Sequence, residues 1–208
     1  MDLNFTEAST LAVIDRQING VEKNFTPAQY EIIRQVIYSS ADLEYKSLLQ
    51  FSQGALAKGA AALTAVIPII VDVPEIQVNI VPKLQQTFTN RVYCCATTGN
   101  KVRGRGTKAS NGLEILASKY PNGIYLIGQD IPTMTAMVDL IEHKKIEPSL
   151  AIATPPTLIE SEAKQKLRNS NIPNIHITNA KGGANIATAI FNSLLRLAWE
   201  VKQKSVTP

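Results

Sequence analysis

From Gly123 onward the sequence keeps returning to one alternation, a short aliphatic run followed by a longer amphipathic one. GIYLIG (123–128), SLAIAT (149–154) and NIHIT (174–178) read as strands. IPTMTAMVDLIEHKK (131–145), LIESEAKQKLRNS (158–170) and ANIATAIFNSLLRLAWEVKQ read as the helices between and after them. Upstream, the Ala-rich helix GALAKGAAALTAV (54–66) feeds the strand PIIVDV. Short runs without polar alternation are buried on both faces, and such strands joined by helices form a parallel sheet. The expected class is α/β: a three-layer α/β/α arrangement with a largely parallel sheet.

The chain has 208 residues, 45% hydrophobic and 6% aromatic, so its core is aliphatic. No low-complexity linker divides it, and a single domain over 1–208 is expected. MDLNFTEAST carries no basic and apolar leader pattern, and AALTAVIPIIVDV is interrupted by Pro68 and Asp72, too short to span a bilayer. A cytoplasmic protein is expected. Cys94 and Cys95 are neighbours on a strand pattern, so their side chains point to opposite faces and should be buried free thiols.

Several chemistries find no motif. GxGxxG, the Walker loop, GxSxG, HExxH and CxxC are all absent, and there are two histidines. His143 lies in the charged EHKK and His176 between Ile175 and Ile177; both read as structural. No metal and no cofactor are expected. The net charge of +4 is a mild excess whose one concentration is NKVRGRGTK, with Lys101, Arg103, Arg105 and Lys108. Without aromatic stacking partners, that stretch suits an anionic small molecule at least as well as a phosphate backbone, and a solvated loop equally.

In parallel sheets ligands collect beyond the carboxyl ends of the strands. There the sequence offers IGQDIPT, ATPPT and NAKGGAN. Lys181-Gly182-Gly183 directly precedes the last helix, where backbone N–H groups and the helix dipole can hold an anion. One further residue stands out. TPAQYEIIRQVIYSS is a helix with Thr26 as N-cap, Pro27 in its first turn and Gln29 completing a capping box. Tyr38 closes it, next to the apolar stripe of Tyr30, Ile33 and Ile37.

In order along the chain, these segments resemble the precorrin-8X methylmutase family of cobalamin biosynthesis. Phe51-Ser52-Gln53-Gly54-Ala55, then Pro68-Ile69-Ile70 and Asp72-Val73, resemble its FSPGA segment and the strand ending in Asp-Val. Gly128 with Pro132-Thr133 resembles its GNAPT turn, Glu162 and Lys164 its ESK, and Lys181-Gly182-Gly183 through Asn192-Ser193-Leu194 its RGG-to-NAL ending. The resemblance runs from about residue 8 to 197 and implies a methyl shift at ring C of precorrin-8X or its cobalt form, without a consumed cofactor. It also implies a homodimer that binds a tetrapyrrole but no nucleic acid or membrane.

Site residues follow from the same resemblance, with departures. The family's helix ends in a catalytic histidine, and Tyr38 stands in its place. Between the free side chains the acidities differ by roughly 3.5 units, about 5 kcal/mol. If half is felt in the transition state, the rate falls by tens to a hundredfold. Lys108 replaces an arginine, Thr10 a serine, and Pro155-Pro156-Thr157-Leu158 a Gly-Phe-Val loop. Substrate contacts are expected from Thr10, Lys108, Gly128, Thr133, Lys181, Gly182 and Gly183. The competing expectation is a relative that has lost catalysis and binds a corrinoid or tetrapyrrole as a carrier or regulator.

Overall fold

The computed structural model describes residues 5–18, 20–99, 106–158 and 161–206. Helices α1 (Phe5–Gln17) and α2 (Pro27–Ser40) form an antiparallel hairpin, followed by the single turn α3 (Tyr45–Leu48) and strand β1 (Leu49–Phe51). Then come α4 (Ala55–Thr64), β2 (Ile69–Val71), α5 (Pro74–Gln85), β3 (Val92–Cys94), the short α6 (Cys95–Thr98) and α7 (Lys108–Lys119). The alternation read from the sequence completes the chain as β4 (Ile124–Ile127), α8 (Ile131–Glu142), β5 (Leu150–Ala153), α9 (Glu162–Asn169), β6 (Asn174–Ile177) and α10 (Ala184–Val206).

These strands make one six-stranded sheet in the order β1-β6-β5-β4-β2-β3. Strands β2 to β6 run parallel; only β1 is antiparallel, with Leu49 opposite Ile177 and Phe51 opposite Ile175. The expected mostly parallel α/β architecture is therefore present. A three-residue strand such as β1 leaves too little pattern to read, and it was not foreseen.

Alternate side chains divide two cores, as a pleated sheet requires. Ile69, Val71, Ile124, Leu126, Leu150, Ile152, Ile175 and Ile177 face one core, with α1, α2, α4, α5 and α10. Ile70, Tyr125, Ile127, Ala151 and Ala153 face the other, with α7, α8 and α9. Cys94 belongs to the first and Cys95 to the second, both buried and free. Gly59 of α4 permits close packing: a Cβ there would lie 2.8 Å from Leu150 Cδ2 and 2.9 Å from Leu194 Cδ2. Among the described residues no helix is long and apolar enough to cross a membrane.

The capping box of α2 forms as read: Thr26 N–H donates to Gln29 Oε1 (2.9 Å) and Gln29 N–H to Thr26 Oγ1 (3.3 Å). The end of α4 is less comfortable. Ile67 N–H donates to Ala62 O and Val66 N–H to Leu63 O, the hydrogen-bond pair of a Schellman motif. That places Val66 at the left-handed position with φ 56°, costly for a β-branched residue and normally given to glycine. Its side chain is 48% exposed, so little packing would be lost with it. Val66→Gly should stabilise the protein by about 1 kcal/mol in urea unfolding; a loss of stability would contradict this account of the turn.

Candidate functional site at the carboxyl edge of the sheet

The parallel strands end at a common edge, and buried carboxylates and hydroxyls hold the outgoing chains there. Asp72, just beyond β2, is fully buried. Its Oδ2 accepts the backbone N–H groups of Gln129 (2.7 Å) and Asp130 (2.8 Å), which fixes the turn after β4. Burial pushes the Asp72 carboxyl above its ordinary range, against the pull of those backbone N–H groups. Asp130 in turn gathers three donors on one oxygen: Thr133 N–H (2.9 Å), the Thr133 hydroxyl (2.5 Å) and the Thr107 hydroxyl (2.6 Å). One carboxylate thus caps α8 and grips the N-cap of α7.

This placement defines what the expected residues can do. Thr133 is fully buried with its hydroxyl committed to Asp130, behind the surface a ligand would meet. Gly128 is buried too: a Cβ would lie 2.7 Å from Ile76 Cδ1 and 2.8 Å from Ala184 Cα, so glycine lets the β4 turn pass under the start of α10. Lys108 is exposed at the first position of α7, beside Thr107. Lys101, Arg103 and Arg105 lie outside the described residues.

Beyond β5 and β6 the chain is equally constrained. Gly183 N–H donates to Thr154 O (2.7 Å) and the Thr154 hydroxyl to Gly183 O (3.0 Å). At Gly182, with φ 146°, a Cβ would lie 2.0 Å from Thr154 O, so no other residue fits. Lys181 N–H donates to Asn179 Oδ1 (2.8 Å). The N–H groups of Lys181 and Gly183 therefore both have partners within the protein, unlike the open anion cradle suggested by the sequence. The Lys181 ammonium is also engaged, with Asp42 (2.5 Å) and Glu44 (2.9 Å).

Tyr38 lies in the last turn of α2. The core takes Ile32, Ile33, Val36 and Ile37 from this helix, and Tyr38 is turned outward, 39% exposed. The sequence placed it at the edge of the stripe; the structure places it on the outer face. Thr10 is exposed on α1 and donates to Thr6 O (2.9 Å). Asp15 of α1 meets Tyr30 and Arg34 of α2. At about 1.5 Å per residue in antiparallel helices, Thr10 is then level with the turn that carries Tyr38.

Sequence reasoning missed a groove beside this turn. A cavity of about 470 Å³ opens between α2, α5 and α10, bordered by Gln35 and Ser39, by Asn79, and by Asn185 and Asn192. Ser39 adjoins Tyr38, and Asn185 begins two residues after Gly183. The polar positions 185, 188 and 192 repeat at helical spacing in the largely apolar run 184–195, the one sequence signal that pointed here. The groove lining is rich in amides, able both to donate to and accept from a polar ligand.

Both histidines are placed as read. His143 is exposed at the end of α8. His176, 6% exposed, has Nδ1 2.8 Å from Asn174 Oδ1, while the Asn174 amide donates to Leu167 O and Ile172 O. That orientation makes Nδ1 the protonated nitrogen. Burial, then the charges of Arg168 and Lys164, lower the His176 pKa from 6.5 to about 4. Lys164 is itself buried and donates to Asn179 O (2.9 Å). Burial pushes the Cys95 thiol up, away from the reactive thiolate. No cluster of three or more potential metal ligands occurs among the described residues.

A family model described as precorrin-8X methylmutase matches residues 6–197. A cobalt-precorrin-8 methylmutase of Synechocystis is 29% identical over 205 residues, covering 91% of this chain and 94% of the relative. One from Methanocaldococcus jannaschii is 31% identical over 177 residues, covering 84% and 82%. The solved structure of a precorrin-8x methyl mutase from Thermus thermophilus superposes with a TM-score of 0.82 at 26% identity, covering 94% of this chain and 96% of that one.

Two substitutions test the physical account of this edge. Asp130→Ala removes the shared acceptor of Thr133 and Thr107 and should cost about 2–3 kcal/mol in urea unfolding; an unchanged midpoint would contradict the clamp. Between about pH 6.5 and 4, unfolded His176 binds a proton that the folded protein refuses. Its contribution is complete above pH 6.5 and declines as pH falls, by up to about 1.4 kcal/mol per unit and roughly 3 kcal/mol in all. His176→Gln should lose that slope relative to wild type, measured by urea unfolding at several pH values; parallel slopes would refute the buried neutral imidazole.

Proposed function

The chain belongs to the precorrin-8X methylmutase family, and from that premise we propose that it catalyses an intramolecular methyl shift at ring C of cobalt-precorrin-8, or of metal-free precorrin-8X, giving cobyrinate or hydrogenobyrinate. The observation that carries this reading is the match over residues 6–197 with relatives named for that reaction. The cobalt form is preferred because both of those relatives are cobalt-precorrin-8 methylmutases. The protein works in the cytoplasm as a homodimer, as the family resemblance implies.

The chemistry asks little of the protein beyond placement. One C–C bond to the migrating methyl breaks as another forms on the neighbouring ring carbon. Composition is unchanged, and no water, electron or second substrate is consumed. Catalysis then rests on holding the macrocycle in the reactive conformation and stabilising charge that develops along the ring. Tyr38 donates its phenol hydrogen bond toward ring C, and Thr10, level with it on α1, supports the phenol or the substrate.

Lys108 receives a carboxylate arm of the substrate as a point charge, without the fork an arginine would offer. The amide-lined groove beside Ser39 takes further polar arms. Gly128 and Thr133 shape the wall from beneath, and the Gly182–Gly183 turn gives it a rigid rim. In the metal-free substrate the ring nitrogen keeps a lone pair that can accept this hydrogen bond; with cobalt bound that lone pair is taken, and the help left to the protein is placement of the macrocycle.

Tyr38→Phe should lower kcat by tens to a hundredfold while changing substrate affinity less than about threefold. Turnover can be followed by the chromophore change and affinity by spectral titration. Wild-type rates in the variant would remove Tyr38 from the mechanism. Tyr38→His should favour the metal-free substrate, which alone keeps a nitrogen to protonate.

A further inference from the structure

Resting on that functional reading, we propose that Lys181 is a positioning residue: clamped between Asp42 and Glu44, it locks the exit of α2, and with it Tyr38, to the rigid Gly182–Gly183 turn. Its sequence position before a helix suggested a receiver for a substrate carboxylate. The geometry points elsewhere. Lys181 Nζ lies 2.5 Å from Asp42 Oδ2 and 2.9 Å from Glu44 Oε2. One ammonium between two carboxylates carries no net positive charge to offer a third. The Lys181 hydrogen bond holds the Asp42 carboxyl below its ordinary range, and Asp42 and Glu44 raise the ammonium, so both remain ionised at neutral pH.

Each end of the clamp is itself fixed. On the α2 side, Ala41 turns left-handed with φ 54°, its N–H closing the helix on Ile37 O. Asp42 Oδ1 then accepts Glu44 N–H (3.0 Å), which sets both carboxylates on one short turn four to six residues after Tyr38. Next along the chain, Tyr45 is 4% exposed and anchors this turn in the core. On the other side, Lys181 N–H is held by Asn179, and Gly182 and Gly183 are pressed against Thr154. The two segments are 139 residues apart in sequence, so α2 has no local reason to hold its register against this turn. Lys181 supplies one by charge.

The Lys181 side chain is 36% exposed, and an ion pair in contact with water adds little to global stability. Its effect should therefore appear in kinetics. Lys181→Met should melt within a few degrees of wild type, yet lose kcat on cobalt-precorrin-8 by roughly 10-fold with KM within about 3-fold. Lys181→Arg should stay close to wild type, and the charge-exchanged pair Asp42→Lys with Lys181→Glu should recover most of the lost kcat. A KM rise of about 10-fold with kcat preserved, or no recovery on exchange, would overturn the proposal in favour of direct substrate contact. Hydrogen exchange provides a readout independent of turnover. In Lys181→Met, peptides over 38–46 and 178–184 should lose protection together while the sheet keeps its own. If the wild type turns over no substrate, the isomerase reading fails, but joint loss of protection still upholds the clamp and unchanged protection refutes it.

Discussion

Where parallel strands end side by side, the outgoing chains carry backbone N–H and C=O groups that the sheet can no longer pair, and buried ones must find partners or cost stability. This constraint organises the protein. Asp72 collects two backbone N–H groups of the β4 turn, Asp130 joins the starts of α7 and α8, and Thr154 binds Gly183 in both directions. Each device uses a short polar side chain to replace missing ladder partners. Together they make the carboxyl edge a rigid frame rather than a set of mobile loops.

A rigid edge suits an intramolecular isomerisation. No electron or group is exchanged with the protein, so rate enhancement must come from orientation and from hydrogen bonds already in place. The residues that resemble family site positions divide accordingly. Thr133 and Gly128 are buried beneath the surface, Lys181 is engaged by two carboxylates, and Tyr38, Thr10 and Lys108 remain exposed. The first group builds the frame; the second is available to a ligand.

The strands β4, β5 and β6 were legible because each is a continuous aliphatic run buried on both faces, and the α2 cap because Thr26, Pro27 and Gln29 form a local code. The cysteines lie in opposite cores as expected, although Cys95 already begins α6 instead of continuing the strand. What stayed hidden depended on distant partners. The Lys181-Gly182-Gly183 turn looks open in sequence because Thr154 and Asp42, which occupy its groups, are far away along the chain. Tyr38 seemed to border the stripe, but the buried arc of α2 is centred on Val36 and Ile33, which leaves the residue after Ile37 facing outward. The amide-lined groove escaped notice because its residues come from separate helices and form no contiguous motif.

The most direct test of the account is to mix the purified protein with cobalt-precorrin-8 under anaerobic conditions and follow the absorption spectrum and the mass of the product. Conversion to the cobyrinate chromophore over many turnovers per site, with no change in mass, is the predicted result. A spectral change that saturates at one ligand per site, with the substrate recovered unaltered, would contradict it and mark a protein that binds the macrocycle without rearranging it.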